Sequence, residues 1–383
     1  MQIPPEIKPL LDQLRAADPE LKSVTDQQIM ELVQQAMANI DPTDKATLDR
    51  MSARYLRALG ERMLSQGKWP EVEPVLLRAL ERSEQEGDAN GQTWAMIYVG
   101  RLCSERGDFP EAYELFQQAL AQAERLGEKR LQGAIYSEIG DILATQSQYP
   151  QAITHYRKSL EIGEALGHEQ DLAVFYGNLA DVYLSQGEFE QAIGMQKQSL
   201  ALNIKLGHER GAAQVYNSLG NSYKKQNNLN RAAEMYRKSL EITERLGLNA
   251  RSAIQYGNLG SIYYTQGELD QAIEMQRKSL KIHRQTGDQP NVAHAYGNLA
   301  NCYQQKGDTA RALECYRKSL DITDRIGDLH TSANTYFNLG LLYLENIGDQ
   351  NEARANLEKA KALFEQVGDA PRTQQAAWVL QWL

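Results

Sequence analysis

Asn178, Asn258, Asn298 and Asn338 occupy one slot of a 40-residue spacing, with Ser218 in the remaining copy. Three residues on, a second set reads Asp181, Asn221, Ser261 and Asn301. A carboxamide offers a donor and an acceptor together, so a row of them can satisfy the N–H and C=O groups of an extended peptide whatever its side chains. Asn is a mediocre helix former, so helix propensity does not account for four copies in one slot. Gly177, Gly257 and Gly297 directly precede three of these asparagines. Each costs roughly 1 kcal/mol against Ala in a helix interior, and a missing side chain there lets a ligand backbone approach the helix. The competing readings are structural: close packing between successive helices for the glycines, and hydrogen bonds that only hold the stack for the asparagines.

Other chemistry lacks the residues it needs. The six histidines are scattered, and His168 and His208, alike in LGHE, have no partner at metal-ligand spacing. There is no HExxH, no CxxC and no Gly-rich phosphate loop, and no Ser or Cys sits in a nucleophile motif. The expectation is no enzyme, no cofactor and no metal. Cys103, Cys302 and Cys315 give no disulfide framework and fit a reducing compartment. Cys302 and Cys315 fall on the paired helices of one hairpin, where they read as free buried thiols. A net charge of -9 argues against a general nucleic-acid or anionic-membrane binder. The opening MQIPPEIKPLLDQL lacks the basic and apolar regions of a secretory signal, and no apolar run is long enough to span a membrane. These points together predict a cytoplasmic chain with a protein or peptide partner, no nucleic acid and no membrane.

The elements that position the asparagines are legible in 172–207, LAVFYGNLADVYLSQGEFEQAIGMQKQSLALNIKLG. Tyr176, Leu179, Ala180 and Tyr183 share one helical face. Gly187 interrupts the pattern, as the residue just past a helix end. Ala192, Met195, Ser199, Leu200 and Ile204 then share a face of a second helix, giving an antiparallel hairpin. The Leu179 slot is Leu59, Val99, Ile139, Leu219, Leu259, Leu299 and Leu339 in the other copies. The turn glycine is Gly67, Gly107, Gly267 and Gly307, with Ser147 and Asn227 as substitutes. The small residue of the second helix is Ala112, Ala152, Ala192, Ala232, Ala272, Ala312 and Ala353, after one extra residue near Asn346–Gly348; Val72 stands there in the first copy. Eight hairpins fit between 45 and 367.

Aromatic, Leu three on, Gly/Ala four on, Tyr seven on, Ala sixteen on and aromatic twenty on, as in Tyr296, Leu299, Ala300, Tyr303, Ala312 and Tyr316, resembles the tetratricopeptide repeat. The 40-residue unit with L-G-D/H in its loop is similar to the extended repeats of kinesin light chain and the Pins-type spindle-orientation adaptors. The resemblance covers roughly 320 of the 383 residues. It implies an all-α, right-handed α-solenoid, a superhelix whose first helices line a concave peptide-binding groove. Groove candidates are then Gly177, Asn178, Asp181, Asn221, Lys224, Gly257, Asn258, His294, Gly297, Asn298, Asn301, Asn334 and Asn338. The early copies differ, with Ala58, Tyr98 and Glu138 in the asparagine slot and Arg101, Glu105 and Asp141 nearby. The reading is a scaffold or adaptor that binds a peptide or partner protein in the groove. A second reading is a peptide-responsive sensor, since bacterial Rap-type receptors also set N-terminal helices before repeats. A third is a targeting or sensor module of a larger signalling protein.

Flanking segments complete the expected layout. Residues 1–44 read as an N-terminal helical extension, with Thr25 and Gln28 at capping-box spacing, and 368–383 as a C-terminal capping helix. The latter carries Trp378, Val379, Leu380, Trp382 and Leu383, and its tryptophans also offer a surface for self-association. Two tyrosine rows, 136 to 336 and 183 to 343, are expected in the core. The repeated pairs Arg157-Lys158, Arg237-Lys238, Arg277-Lys278 and Arg317-Lys318 read as a solvated face, with Arg157–Glu161, Arg237–Glu241 and Arg317–Asp321 at pairing distance along the helix.

Overall fold

Most of the described helices are followed within two residues by one in the left-handed region, and several of the next are started by a polar side-chain cap. Gly287 (φ 73°) and Gly327 (φ 75°) end helices, a conformation that L side chains resist. The Asp288 and Asp328 side chains then accept the backbone N–H of Asn291 at 3.3 Å and of Thr331 at 3.0 Å, satisfying donors that the new helix leaves orphaned. The Gly-Asp of these loops is therefore one device, a stop followed by a start. Ser147 (φ 61°) and Asn227 (φ 59°) adopt the same conformation without being glycine, and they are the two residues read as turn substitutes.

The computed structural model describes residues 48–49, 51–65 and 69–383; the expected helices in 1–44 lie outside them. The described residues form helices and no strand. They are α1 (Ala53–Ser65), α2 (Trp69–Glu86), α3 (Ala89–Arg106), α4 (Phe109–Leu126), α5 (Lys129–Thr145), α6 (Tyr149–Leu166), α7 (Glu169–Ser185), α8 (Phe189–Lys205) and α9 (Glu209–Lys225). There follow α10 (Leu229–Arg245), α11 (Asn249–Thr265), α12 (Leu269–Thr286), α13 (Gln289–Gln305), α14 (Thr309–Ile326), α15 (Leu329–Leu342), α16 (Gln350–Gln366) and α17 (Ala370–Leu380). Odd and even helices pair from α1 to α16 as eight antiparallel hairpins. The chain divides into two compact units, one up to Asp171 and one from Leu172.

Within a hairpin the two helices touch where the sequence alternates large and small. Every residue of the leucine slot from Leu59 to Leu339 is buried, and Ala112, Ala152, Ala192, Ala232, Ala272, Ala312 and Ala353 are 0% exposed. The aromatic of the second helix lies on the small residue of the first. A Cβ added to Gly100, Gly140 or Gly220 falls within 2.5–2.7 Å of the ring of Phe116, Tyr156 or Tyr236. A side chain at these three positions would force the ring to shift. The extra residue of the last hairpin is absorbed as a π-helical turn, Tyr343–Ile347, closed by Gly348 (φ 80°).

Two expectations are corrected. Tyr183, Tyr223, Tyr263 and Tyr303 are core, but Tyr136, Tyr216, Tyr256, Tyr296 and Tyr336 are only half-buried. Their outer ring faces are covered by Lys158, Lys238, Lys278, Lys318 and Lys359, with Nζ 5.0–5.8 Å from the ring centre. Such contacts contribute about 0.5–1 kcal/mol each at exposed sites. Arg237 and Arg317 do not bond the acids four residues on, Glu241 and Asp321, as read. Arg237 and Arg277 donate instead to the hydroxyls of Tyr263 and Tyr303 in the next hairpin, at 2.8 and 2.7 Å. It is Lys238, Lys278 and Lys318 that pair along their helix, with Glu234, Glu274 and Glu314. The basic pair thus joins one hairpin internally and grips the following one.

Candidate functional site

The first helices of the second unit, α7, α9, α11, α13 and α15, carry the asparagine slots. The leucines beside them are buried, which fixes each helix by its apolar stripe and leaves the neighbouring slots on another face. Asn178, Asn258 and Asn338 are half-buried, and Asn298 is exposed. Neighbouring first helices are close enough for these side chains to meet. Asn258 Nδ2 donates to Asn217 Oδ1 at 3.1 Å, and Asn338 Nδ2 donates to Asn301 Oδ1 at 3.2 Å. Lys224 Nζ donates to Ser261 Oγ at 3.1 Å across the same step.

The second set is held from behind. The hydroxyl of Tyr236 donates to Asn221 Oδ1 at 2.7 Å, and that of Tyr316 donates to Asn301 Oδ1. In the first unit Tyr156 makes the equivalent bond to Asp141. Each amide is consequently oriented through one half, while the other half has no partner among the described residues: Nδ2 of Asn221 and Asn301, Oδ1 of Asn258 and Asn338. The Asn298 side chain makes no hydrogen bond to a described residue.

Asp181 differs from its counterparts. Gln196 stands where the hairpins of Asp141, Asn221 and Asn301 have tyrosine, and its own Oε1 accepts from Ser222 at 2.9 Å. The Asp181 carboxylate reaches solvent but is crowded by protein, and this desolvation raises its pKa above the ordinary carboxylate value. Desolvation likewise lowers the pKa of Lys224. A carboxylate and an amide row on one face suit a ligand with backbone groups and a cationic or N–H donor.

The three ladder glycines are not explained by packing between first helices. A Cβ on Gly177, Gly257 or Gly297 meets nothing nearer than Ser199, Ser279 or Ser319 Oγ of its own hairpin, at 3.9, 3.5 and 3.9 Å. This is ordinary contact. His294 and Asn334 lie one turn before Asn298 and Asn338: His294 Nε2 is 3.3 Å from Thr331 Oγ1, and Asn334 Nδ2 donates to the carbonyl of His330 at 2.9 Å. Sequence reasoning missed Asn217, because it sits in the slot where three other copies have glycine. It also missed the tyrosines that orient the second set, since an aromatic twenty residues on already had a packing role.

In the first unit the corresponding face is charged. Arg101 Nε donates to Glu138 Oε1 at 2.8 Å, an ion pair between successive first helices where the second unit has amides. No group of metal-binding residues occurs among the described residues, and none of their helices is long and apolar enough to cross a membrane. Cys103, Cys302 and Cys315 are free and buried. Burial pushes the thiols of Cys302 and Cys315 up to about 11, which disfavours the nucleophilic thiolate.

Known proteins share this architecture. The signal-transduction ATPase PH0952 of Pyrococcus horikoshii, a STAND protein with a tetratricopeptide repeat sensor, is similar with a TM-score of 0.70 at 18% identity. That match covers 91% of this chain but 55% of the ATPase. The apo form of RapI is similar with a TM-score of 0.68 at 16% identity, over 86% of this chain and 96% of RapI. A Rap protein complexed with Competence and Sporulation Factor follows at 0.55 and 16%, with the same coverage. At such identities the likeness is one of fold. No curated protein matches the sequence. The family profile of the tetratricopeptide repeat matches residues 49–125, 93–165, 131–205, 171–245, 251–325 and 292–366. With both units tiled by these matches and folded into the hairpins that the profile describes, the chain belongs to the tetratricopeptide-repeat family.

Proposed function

We propose that this chain is a protein-interaction scaffold that holds an extended peptide or partner segment in a groove lined by the first helices of its second unit. The observation that carries the reading is the half-used amide row. Asn221, Asn258 and Asn338 are each fixed by one hydrogen bond and Asn301 by two, and each keeps an unused donor or acceptor. Preorientation of this kind lowers the entropy lost on binding. Backbone recognition falls to the amides and to close approach at Gly177, Gly257 and Gly297. Asn178, Asp181, Asn298 and Lys224 set preferences at individual ligand positions, with His294 and Asn334 at the margin of the row. The buried free thiols accord with a reducing compartment, the cytoplasm in this reading.

The test is selection of peptides from a displayed random library on the whole protein. Selected peptides should bind Asn258→Ala/Asn298→Ala about tenfold more weakly or worse, with helicity and melting temperature retained. Peptides that bind the variant equally well would leave the asparagines with a structural role only. A second reading, a peptide-responsive sensor, draws support from the fold likeness to the Rap complex with its factor. A sensor must differ between its free and bound states, so small-angle scattering with and without a selected peptide separates it from a rigid scaffold. Self-association is assigned to Trp378 and Trp382, which are 61% and 75% exposed. Sedimentation should give a smaller mass for Trp378→Ser/Trp382→Ser than for the parent; equal masses would remove this assignment.

A further inference from the structure

The same surface depression occurs in two hairpins with different charge. In the third hairpin it holds about 420 Å³, beside Tyr136 with Lys158 over its ring, and is lined by Glu124, Lys129 and Glu161. Its charges balance. In the seventh hairpin it holds about 560 Å³, beside Tyr296 with Lys318 over its ring, and is lined by Arg284, Arg317, Asp321 and Arg325. The counterparts of position 284 are acidic at Glu124, Glu164, Glu244 and Asp324, and apolar at Ile204. The balance is reversed here, on a chain whose net charge is -9.

The three arginines are exposed, and none has a side-chain hydrogen bond or ion pair among the described residues. Asp321, four residues from Arg317 and from Arg325, forms an ion pair with neither. The state of Arg317 has a structural cause. Arg237 and Arg277, its equivalents, donate to Tyr263 and Tyr303 of the next hairpin. The corresponding residue for Arg317 is Tyr343, where the chain enters its π-helical turn, and that bond is not made. An arginine that elsewhere joins hairpins is here released to the surface.

We infer that this depression docks an extended acidic segment of a partner protein, a site separate from the asparagine row. Charge complementarity selects the class of ligand. Spacing selects its form. Arg317 and Arg325 are eight residues apart on α14, roughly 12 Å along the helix axis, with Asp321 between them. A single phosphate placed midway faces that carboxylate. Two carboxylates about four residues apart on an extended chain, at roughly 3.3 Å per residue, match the two arginines, while Arg284 on α12 meets either from the side. Guanidinium groups bind such carboxylates bidentately.

The experiment is fluorescence anisotropy on the full chain with a fluorescein-labelled nonapeptide that carries two glutamates separated by three alanines. Controls are the same peptide with glutamines and one with a single central phosphoserine. The glutamate peptide should bind, and more weakly as salt rises. Arg284→Glu/Arg325→Ala, which brings the site toward the balance of the third hairpin, should weaken it about tenfold, and Asn258→Ala should leave it unchanged. Both altered arginines are exposed, and an unchanged melting temperature certifies the fold. The inference is overturned if the glutamate peptide fails to bind, if the glutamine peptide binds equally, or if the phosphoserine peptide binds more tightly. It is equally overturned if the arginine variant binds as well as the parent or if Asn258→Ala abolishes binding.

Discussion

Two glycines one turn apart on the same type of helix have opposite reasons to be glycine. Gly220 lies under the ring of Tyr236, where a Cβ would sit 2.5 Å from Cε1. Gly297 faces only Ser319 Oγ at 3.9 Å. Gly220→Ala should therefore destabilise by about 1–3 kcal/mol through overpacking, whereas Gly297→Ala should stabilise by about 1 kcal/mol through helix propensity. Urea melts of the two variants check both signs, and destabilisation by Gly297→Ala would show a packing demand absent from this structure. Asp181 gives a second prediction at this scale. Its raised pKa means that desolvation penalises the ionised form, so its contribution favours folding below the unfolded-state value and is lost as pH rises. Asp181→Asn should raise the melting temperature at pH 7, with the gain shrinking below about pH 4. A gain that does not change with pH would assign the effect to something other than charge. The leucine and alanine slots were legible from spacing because burial repeats with the helical period. The half-buried state of Tyr296 was not, since periodicity reports which side a residue faces and not how far the neighbouring helix covers it.

At the scale of the helix, the caps and turns are local chemistry and were largely readable. Ser147 and Asn227 were identified as glycine substitutes from position alone, and the extra residue near Gly348 was placed, though not its form as a π-helical turn. Asp328 shows how a cap couples to pH. Burial pushes its carboxyl up, but the hydrogen bonds from Thr331 together with the nearby His294 and His330 outweigh burial and hold the pKa below its usual value. A lowered carboxylate pKa stabilises the fold above the unfolded-state value and is lost as pH falls through the folded one. Asp328→Ala should cost about 1 kcal/mol at pH 7 and much less below about pH 3. Chemical melts at the two pH values check this, and an equal cost at both would sink the account. The Arg-to-Tyr bonds between hairpins were not readable. They join residues 26 apart on different hairpins, and Arg237, with Glu241 four residues on, looks like half of a local pair until the next hairpin is placed.

At the scale of the molecule, the 40-residue repeat gives no sign of the division at Asp171 and Leu172, because its register continues through α7 unbroken. The change in the asparagine slot, from Glu138 to Asn178, does fall there, so the charged face belongs to one unit and the amide face to the other. The inter-hairpin bonds give the second unit a direction. Each runs from an exposed arginine forward to a tyrosine that is 9% exposed at Tyr263 and 5% at Tyr303. Peeling a hairpin from the C-terminal side leaves behind an arginine that water solvates at little cost. Peeling from the N-terminal side breaks the bond at a tyrosine whose ring stays packed in the remaining stack, leaving its hydroxyl at the new end. Mechanical tension should therefore unravel this unit asymmetrically, tail first. In a single-molecule pull on the second unit, Tyr303→Phe should lower the rupture force when the load enters from the N-terminal side, more than when it enters from the other. Equal forces from both ends would mean that the array has no preferred direction of failure.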